Sequence, residues 1–174
     1  MKNFKVSLNR QALLVTFVLA LLCRPAMAQD HQMKMSKKAT THVMVNSADL
    51  KWMDGPDAIP AGAKFVVISG DPKKPGLFTM RATLPDNYII PAHWHPADEH
   101  VTVLSGTLLM GLGDKFDESK LSPVNAGGYS LLPARVNHFV KTQGETTLQL
   151  NSIGPWGITY VNPADDPRKK KVMK

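Results

Sequence analysis

The sequence contains almost no cysteine and no long hydrophobic run. Cys23 is the single cysteine among 174 residues, which excludes a disulfide-stabilised scaffold. The longest mostly apolar run, residues 12–23, is much shorter than the roughly 20 residues that a membrane-spanning helix needs. No apolar period of 3.6 residues persists beyond about two turns, which argues against a coiled coil. The length corresponds to one domain with a sizeable core.

The first 28 residues have the three parts of a secretory signal peptide. Residues 1–10 carry three basic side chains and no acidic one, and the apolar run 12–23 follows them. Ala26-Met27-Ala28 then supplies the small-x-small site at which such peptides are cleaved. We therefore predict cleavage after Ala28, export to the periplasm or the cell exterior, and no stable membrane anchor in the mature chain.

The net charge of +7 comes mostly from the two ends of the chain. Four basic residues lie in the predicted signal peptide and five more lie in residues 168–174. Cleavage leaves 17 basic and 14 acidic residues, and the body between the two ends holds 12 basic and 14 acidic ones. A body this close to neutral argues against nucleic-acid binding, which needs a basic surface.

Composition divides the mature chain into three parts. Residues 29–41 are polar and lysine-rich, and we predict a flexible segment there. Residues 42–161 form the predicted β-domain, and residues 162–174 form a basic C-terminal tail. The sequence shows no internal repeat and no second domain.

The central part has the pattern of an all-β domain. Short apolar or alternating segments recur there between glycine, proline and aspartate residues. We predict strands at 64–69, 77–84, 88–90, 101–104, 107–111, 129–132, 138–142 and 146–153, and one helical turn at 117–121. Many short strands at this spacing are typical of a sandwich or a barrel.

Three of the six histidines and one of the three glutamates lie within eight residues, in the string Pro91-Ala92-His93-Trp94-His95-Pro96-Ala97-Asp98-Glu99-His100. On a strand, His93 and His95 project to the same face. Pro96 interrupts that strand, so the next strand is expected to begin near Glu99. Two imidazoles and a carboxylate from neighbouring strands have the composition of a transition-metal site. His138, which begins another apolar strand, is the candidate for a further imidazole.

Two longer patterns resemble the motifs of the cupin superfamily. His93-x-His95-x3-Glu99-x6-Gly106 matches the first motif, and Gly127-x5-Pro133-x4-His138 matches most of the second. The chain therefore resembles a single-domain cupin over residues 62–155. It departs from the motifs at Asn87 and Arg135, where glycine is usual, and at Thr142, where asparagine is frequent.

The resemblance implies a double-stranded β-helix, that is, a jelly-roll barrel, with four metal ligands in its lumen: His93, His95, Glu99 and His138. Three imidazoles and a carboxylate suit Fe, Mn, Ni, Cu, Co or Zn. An open coordination position would permit activation of O₂ or of a bound carbonyl or hydroxyl group. We therefore predict metal-assisted chemistry on a small organic molecule, of dioxygenase or isomerase type. The alternative is a non-catalytic metal-binding, small-molecule-binding or sensor protein, and the resemblance also implies a homodimer paired through barrel edges.

The sequence also gives expectations for the residues around the predicted ligands. By strand alternation, Trp94 and His100 point away from the lumen. Asp98 either orients an imidazole or belongs only to a turn, and Arg81 would hold an anionic substrate if it faced inward. For Trp156 and Tyr160 we predict packing over a barrel edge.

The signal-peptide prediction is testable on the exported protein. Cleavage after Ala28 removes Cys23, so intact-mass measurement is expected to give the mass of residues 29–174 and no free thiol. An exported protein whose mass still includes Cys23 would contradict the predicted cleavage site.

Overall fold

The computed structural model describes residues 42–170. The predicted signal peptide, its cleavage site at Ala28, the segment 29–41 and the last residues of the basic tail, 171–174, lie outside this part. Within the described part, no helix is both long enough and apolar enough to cross a membrane.

Strands dominate residues 42–170, as the alternating sequence predicts. The nine strands are β1 (Met53–Asp54), β2 (Lys64–Ser69), β3 (Gly76–Leu84), β4 (Ile89–Trp94), β5 (Glu99–Leu112), β6 (Ser122–Asn125), β7 (Tyr129–Leu132), β8 (His138–Gly154) and β9 (Thr159–Tyr160). Short 3-10 turns cover Ser47–Asp49, Glu118–Lys120 and Pro163–Asp165, and one short helix, α1, covers Pro167–Lys170. The all-β fold class is confirmed.

The nine strands are hydrogen-bonded into one continuous antiparallel sheet, whose two halves, called the two sheets below, share the long strands β5 and β8. The C-terminal half of β8 and the N-terminal half of β5 lie together between β3 and β7, and β2 and β1 follow beyond β3. The other halves of the same two strands lie between β4 and β6, with β9 beyond β4. Two sheets joined by strands that pass from one to the other form the predicted jelly-roll barrel.

The sequence predicts two strands in each place where the structure has one long strand. Residues 101–104 and 107–111 both belong to β5, and residues 138–142 and 146–153 both belong to β8. The glycines between the predicted pieces are bends within the strand, because Gly106 and Gly144 adopt φ values of 75° and 73° while pairing continues on either side. A glycine inside a strand pattern marks a bulge as readily as a turn.

The bulge at Gly106 lets both halves of β5 face the lumen. Val101 and Val103 are buried before the bulge, and Leu108 is buried after it, so the inward residues change from odd to even numbers. A Cβ at Gly106 would lie 2.4 Å from the backbone oxygen of Glu145, too close for any other residue. This close approach explains why the first motif carries glycine at this position.

Thr142 fills the place of the usual asparagine by tying down the turn between β3 and β4. It is fully buried, its hydroxyl donates to the Pro85 oxygen at 2.5 Å, and it accepts a hydrogen bond from the Tyr88 amide at 2.8 Å. The backbone amide of Thr142 also donates to the Tyr88 oxygen. A short hydroxyl side chain thus satisfies one buried and one partly buried backbone group, which would be costly to leave unpaired.

Asn87 and Arg135 keep the backbone conformation of the glycines that they replace. Their φ values are 55° and 64°, in the left-handed region. Asparagine tolerates this region, whereas arginine is strained in it. The Arg135 amide donates to the His95 oxygen at 2.9 Å, and the guanidinium lies 5.3 Å from the centre of the Trp94 ring. The cation–π contact offsets part of the backbone strain.

Part of the predicted basic tail packs on the barrel. Asp166 is buried and accepts hydrogen bonds from the Arg168 guanidinium at 2.8 and 2.7 Å. The same guanidinium donates to the Ile158 oxygen at 3.4 Å. Residues 162–170 are therefore more ordered than the solvated tail that their composition suggests, and the domain limits given above stay predictions.

The strain at Arg135 predicts an unusual order of variant stabilities. Arg135→Ala keeps the strain and loses the cation–π contact, so it is expected to lower the free energy of unfolding by ~0.5–1 kcal/mol. Arg135→Gly loses the contact but relieves ~1 kcal/mol of strain, so its stability is expected to stay near that of the parent. Urea unfolding measures both variants. The same pair at Asn87 is the comparison: alanine is strained there too, so its two variants should differ by a similar ~1 kcal/mol. An alanine variant as stable as the glycine variant at 135 would contradict this account.

Candidate metal centre

His93 and His138 lie directly opposite each other on two adjacent strands. His93 is near the end of β4, His138 begins β8, and the two residues are paired in the sheet. Their rings are 4.2 Å apart between centroids, and both side chains are almost fully buried. The pairing shifts register between Ile90 and His93, at Pro91, which has no amide hydrogen for the ladder. This local irregularity sets which face His93 occupies.

His95 and Glu99 reach the same place through the turn that joins β4 to β5. As the sequence predicts, the strand does not continue through Pro96: β4 ends at Trp94 and the next strand begins at Glu99. Asp98 holds this turn, because its carboxylate accepts a hydrogen bond from the Ala134 amide at 2.8 Å and its carbonyl oxygen accepts one from the Ser152 hydroxyl at 2.7 Å. Asp98 therefore belongs to the turn and does not orient an imidazole.

The imidazole nitrogens of His93, His95 and His138 lie within 4.8 Å of one another and form a group that could hold a metal ion. Glu99 adjoins this group. Its Oε2 lies 3.6 Å from Nε2 of His95 and 3.5 Å from Nε2 of His138. The structure thus brings together all four residues that the sequence predicts as metal ligands, and their role as ligands stays a prediction.

Backbone carbonyl groups fix the proton on each of the three imidazoles. Nδ1 of His93 lies 2.7 Å from the Pro91 oxygen, Nδ1 of His95 lies 2.7 Å from the Gly157 oxygen, and Nδ1 of His138 lies 2.9 Å from the Val136 oxygen. A carbonyl oxygen can only accept a hydrogen bond, so Nδ1 carries the proton in each ring. The three Nε2 atoms are left with free lone pairs, as metal ligation by histidine requires.

The electrostatics of the four groups favour binding of a cation. Burial holds the pKa of His93 well below 6.5, with His138 and His95 adding to the effect. Burial also lowers the pKa of His95, against the opposing influence of Glu99. Burial alone would raise the pKa of Glu99, but His95 and His138 outweigh it and bring that pKa below 4.5. At neutral pH a buried carboxylate therefore lies beside the neutral imidazoles of His93 and His95.

The distances around Glu99 fit two ligands of one ion better than a direct hydrogen bond. Separations of 3.5 and 3.6 Å between nitrogen and oxygen are long for hydrogen bonding, which is strongest near about 2.9 Å. Two ligands each about 2.1 Å from a common metal ion lie roughly 3 to 3.6 Å apart at ordinary coordination angles. The donor set present in the chain therefore fits a divalent transition metal.

Trp156 has a closer relation to the site than the predicted packing over a barrel edge. Its indole stacks on the His95 ring, with centroids 4.2 Å apart and planes 13° apart, and it meets Phe78 edge-on at 5.7 Å. The next residue, Gly157, supplies the carbonyl oxygen that holds Nδ1 of His95. The segment after β8 thus fixes His95 from two sides, which strand periodicity could not reveal because the segment is irregular.

Tyr160 and Tyr88 hold the loop that covers one side of the barrel. The Tyr160 hydroxyl donates to the Ala58 oxygen at 3.0 Å, and the Tyr88 hydroxyl donates to the Pro60 oxygen. Burial raises the pKa of Tyr160 to about 12. Tyr160 is also paired with His93 across β4 and β9, so the loop and the candidate metal centre share one support.

The expected outward residues face outward. His100 lies on the other side of β5 from Glu99, and its Nδ1 is 2.6 Å from the Tyr129 hydroxyl. Arg81 is also outside the lumen, since its guanidinium donates to the Gln149 side chain at 3.1 Å. Trp94 contacts Arg135 and does not line the lumen. The anion-holding role considered for Arg81 is therefore wrong.

A cavity of about 510 Å³ opens over the four candidate ligands. Its walls are apolar and come from both sheets, from the loop at Pro56–Ile59 and from Trp156. A volume of this size lies within the usual range of small-molecule sites, about 300 to 1,000 Å³. The lumen therefore has room for an organic ligand beside the candidate metal centre.

Comparison with solved structures shows that the barrel has the fold of cupin proteins, whereas no curated protein matches the chain. It is similar to a polyketide cyclase from Streptomyces resistomycificus (TM-score 0.60, 18% identity, 76% of this chain and 94% of that one). It is also similar to a Methylibium petroleiphilum protein proposed to be an acetylacetone dioxygenase (0.57, 19%, 74% and 86%) and to an RmlC-like cupin from Shewanella frigidimarina (0.51, 13%, 66% and 91%). At these identities the likeness establishes the fold, and it confirms the single cupin barrel.

A family model also matches most of the chain. The match extends over residues 21–158, and so includes strands β1 to β8, Trp156 and all four residues of the candidate metal centre. The chain therefore belongs to the family described as a domain of unknown function, DUF4437.

Proposed function

We propose that the protein binds one divalent transition-metal ion through His93, His95, His138 and Glu99 and uses it to transform a small organic molecule. One observation carries this proposal: three proton-free Nε2 atoms and a buried carboxylate converge at an apolar cavity large enough for a ligand. Fe, Mn, Ni, Cu, Co and Zn all suit such a donor set.

Of the two reaction types predicted from the sequence, dioxygenation has the better support. An isomerase moves protons and needs a positioned acid or base. Among the described residues that line the cavity, Glu99 is the only buried carboxylate, and as a metal ligand it is not free to act as a base. Incorporation of both atoms of O₂ needs no such base. The structural neighbours named as a dioxygenase and a cyclase support chemistry on small organic molecules.

The roles of the chain's own residues follow from their contacts. When bound, the metal would supply Lewis-acid or O₂-binding chemistry. The carbonyl groups of Pro91, Gly157 and Val136 hold the three imidazoles in the ligating tautomer. Trp156 fixes the plane of the His95 ring, and the apolar walls keep water away from the reacting groups. With the predicted signal peptide, this chemistry takes place in the periplasm or outside the cell, and the homodimer stays a prediction.

Metal content and O₂ uptake test the proposal together. Elemental analysis of the loaded protein is expected to give one ion per chain, and loading should change the emission of Trp156. His95→Ala is expected to weaken metal binding by more than about tenfold, since it removes a ligand. O₂ uptake with acetylacetone or longer 1,3-diketones should depend on the metal and disappear in this variant.

His100→Ala is the matched control, because it removes a histidine of the same string that faces outward. The His100→Ala variant should bind the metal and take up O₂ as the parent protein does. Full metal binding in His95→Ala would contradict the ligand assignment. A loaded protein that takes up no O₂ with any of the six metals would contradict dioxygenation and favour the non-catalytic alternative.

The lowered pKa values predict how the metal-free protein responds to acid. Above pH 6.5, His93 and His95 are neutral in both folded and unfolded chains and add no pH dependence. Below 6.5, the unfolded imidazoles bind protons that the folded ones exclude, so stability falls by up to about 1.4 kcal/mol per pH unit for each histidine. Below pH 4.5, the lowered pKa of Glu99 acts in the same direction.

Urea unfolding of metal-free protein between pH 7.5 and 5 measures this loss. His93→Gln should reduce the slope, whereas His42→Gln, which replaces an exposed histidine, should leave it unchanged. A stability that does not change across this range would show that the buried imidazoles take up protons freely in the folded state.

A further inference from the structure

The walls of the cavity are built from two rows of apolar side chains, one in each sheet. Met80, Leu150 and Val101 form a row across β3, β8 and β5. Ile90, Val140 and Met110 form the other row across β4, β8 and β5. All six side chains line the cavity. Val101 lies two residues from Glu99, and Val140 lies two residues from His138, so each row begins next to the candidate metal centre.

The cavity separates its polar groups into two places. Within the part of the chain that the structure describes, no serine, threonine, asparagine, glutamine or tyrosine lines it. Apart from the candidate ligands, its charged residues are Asp54, Lys73 and Arg168, all of them exposed. Asp54 is paired with Lys64 at 2.5 Å, and Arg168 is paired with Asp166 at 2.7 Å. A ligand inside therefore meets polar side-chain groups only at the rim and around the candidate metal centre, where the Trp156 indole, which carries an N–H donor, stacks on His95.

This distribution excludes ligands that are polar along their whole length. A sugar or an amino acid would lose its hydrogen bonds to water and find no partner on the walls. Each buried hydroxyl left unpaired in this way weakens binding by roughly fivefold to more than a hundredfold. Each buried methylene group, in contrast, strengthens binding by about three- to fourfold.

We infer that the substrate has an apolar, alkyl or aromatic body and carries its oxygen donors at one end only. The oxygen end points to the metal centre, which is the part of this inference that rests on the proposed function. The apolar body lies between the two rows of side chains, which depends on the cavity alone. The two parts can therefore be tested separately.

A pair of catechols of equal size tests the inference. 4-Ethylcatechol and 4-(hydroxymethyl)catechol carry the same oxygen donors and differ by a methyl against a hydroxyl group. Calorimetry with Zn²⁺-loaded protein, in which the metal cannot oxidise the probes, is expected to show at least about tenfold tighter binding of the ethyl compound. In metal-free protein both probes should bind more weakly while the preference remains.

Two variants connect this preference to the walls. Ala82 lies on β3 between Met80 and Leu84 and lines the cavity, so Ala82→Phe should fill it and abolish binding of 4-ethylcatechol without loss of the metal. Thr83→Phe places the same ring on the opposite face of the strand and is the control. Met80→Gln keeps the size of the side chain but adds an amide, so it should reduce the preference severalfold even where Ala82→Phe does not fold.

The outcomes separate this inference from the proposed function. Zn²⁺ binding with equal affinity for the two catechols would overturn the inference and leave the metal site standing. A preference for the ethyl compound in a protein that binds no metal would support the apolar body and refute the proposed function. Binding of neither probe to either form would overturn the inference.

Discussion

The structure depends on the burial of one carboxylate among three imidazoles. Glu99 is removed from water, and the groups nearest to it, His95 and His138, present nitrogen lone pairs because backbone carbonyl groups hold their protons on the other side. Such a cluster is unfavourable without a cation, and it persists only because the surrounding barrel determines each side chain separately. The stability of the rest of the domain maintains this arrangement.

Several features of the neighbouring strands and turns hold these four side chains in position. Pro91 interrupts the ladder of β4 where His93 must turn inward, and its carbonyl oxygen then receives the proton of the same ring. Asp98 and Arg135 connect the turn between β4 and β5 to the turn before β8, so that Glu99 and His138 enter the lumen from fixed positions. The left-handed backbone at Arg135 is the cost of this connection, and Trp94 offsets part of it.

The sequence predicts most of the fold and of the site because both rest on short-range patterns. Strand alternation and the glycine and proline positions locate six of the nine strands and miss the short strands β1, β6 and β9. The two motifs place His93, His95, Glu99 and His138 together. The sequence could not predict that Gly106 and Gly144 are bends within long strands, because glycine is equally common in a turn between strands and in a bulge within one strand. The sequence also could not predict that Trp156 stacks on His95. Trp156 lies in an irregular segment about 60 positions from His95, and only the tertiary fold brings the two rings together.

The apolar cavity and the buried donor set reinforce each other. In water, a carboxylate and three imidazoles would compete with solvent for any ion, whereas in a lumen of low dielectric constant the same groups bind it more strongly. Between the rim and the candidate metal centre, the apolar side chains of the two rows offer an incoming molecule no hydrogen-bonding partner. Under the proposed function, an oxygen atom of the ligand then has one favourable place to bind, the candidate metal centre. Which group of the ligand would reach the metal therefore depends on the absence of polar side chains in the two rows as much as on the four candidate ligands.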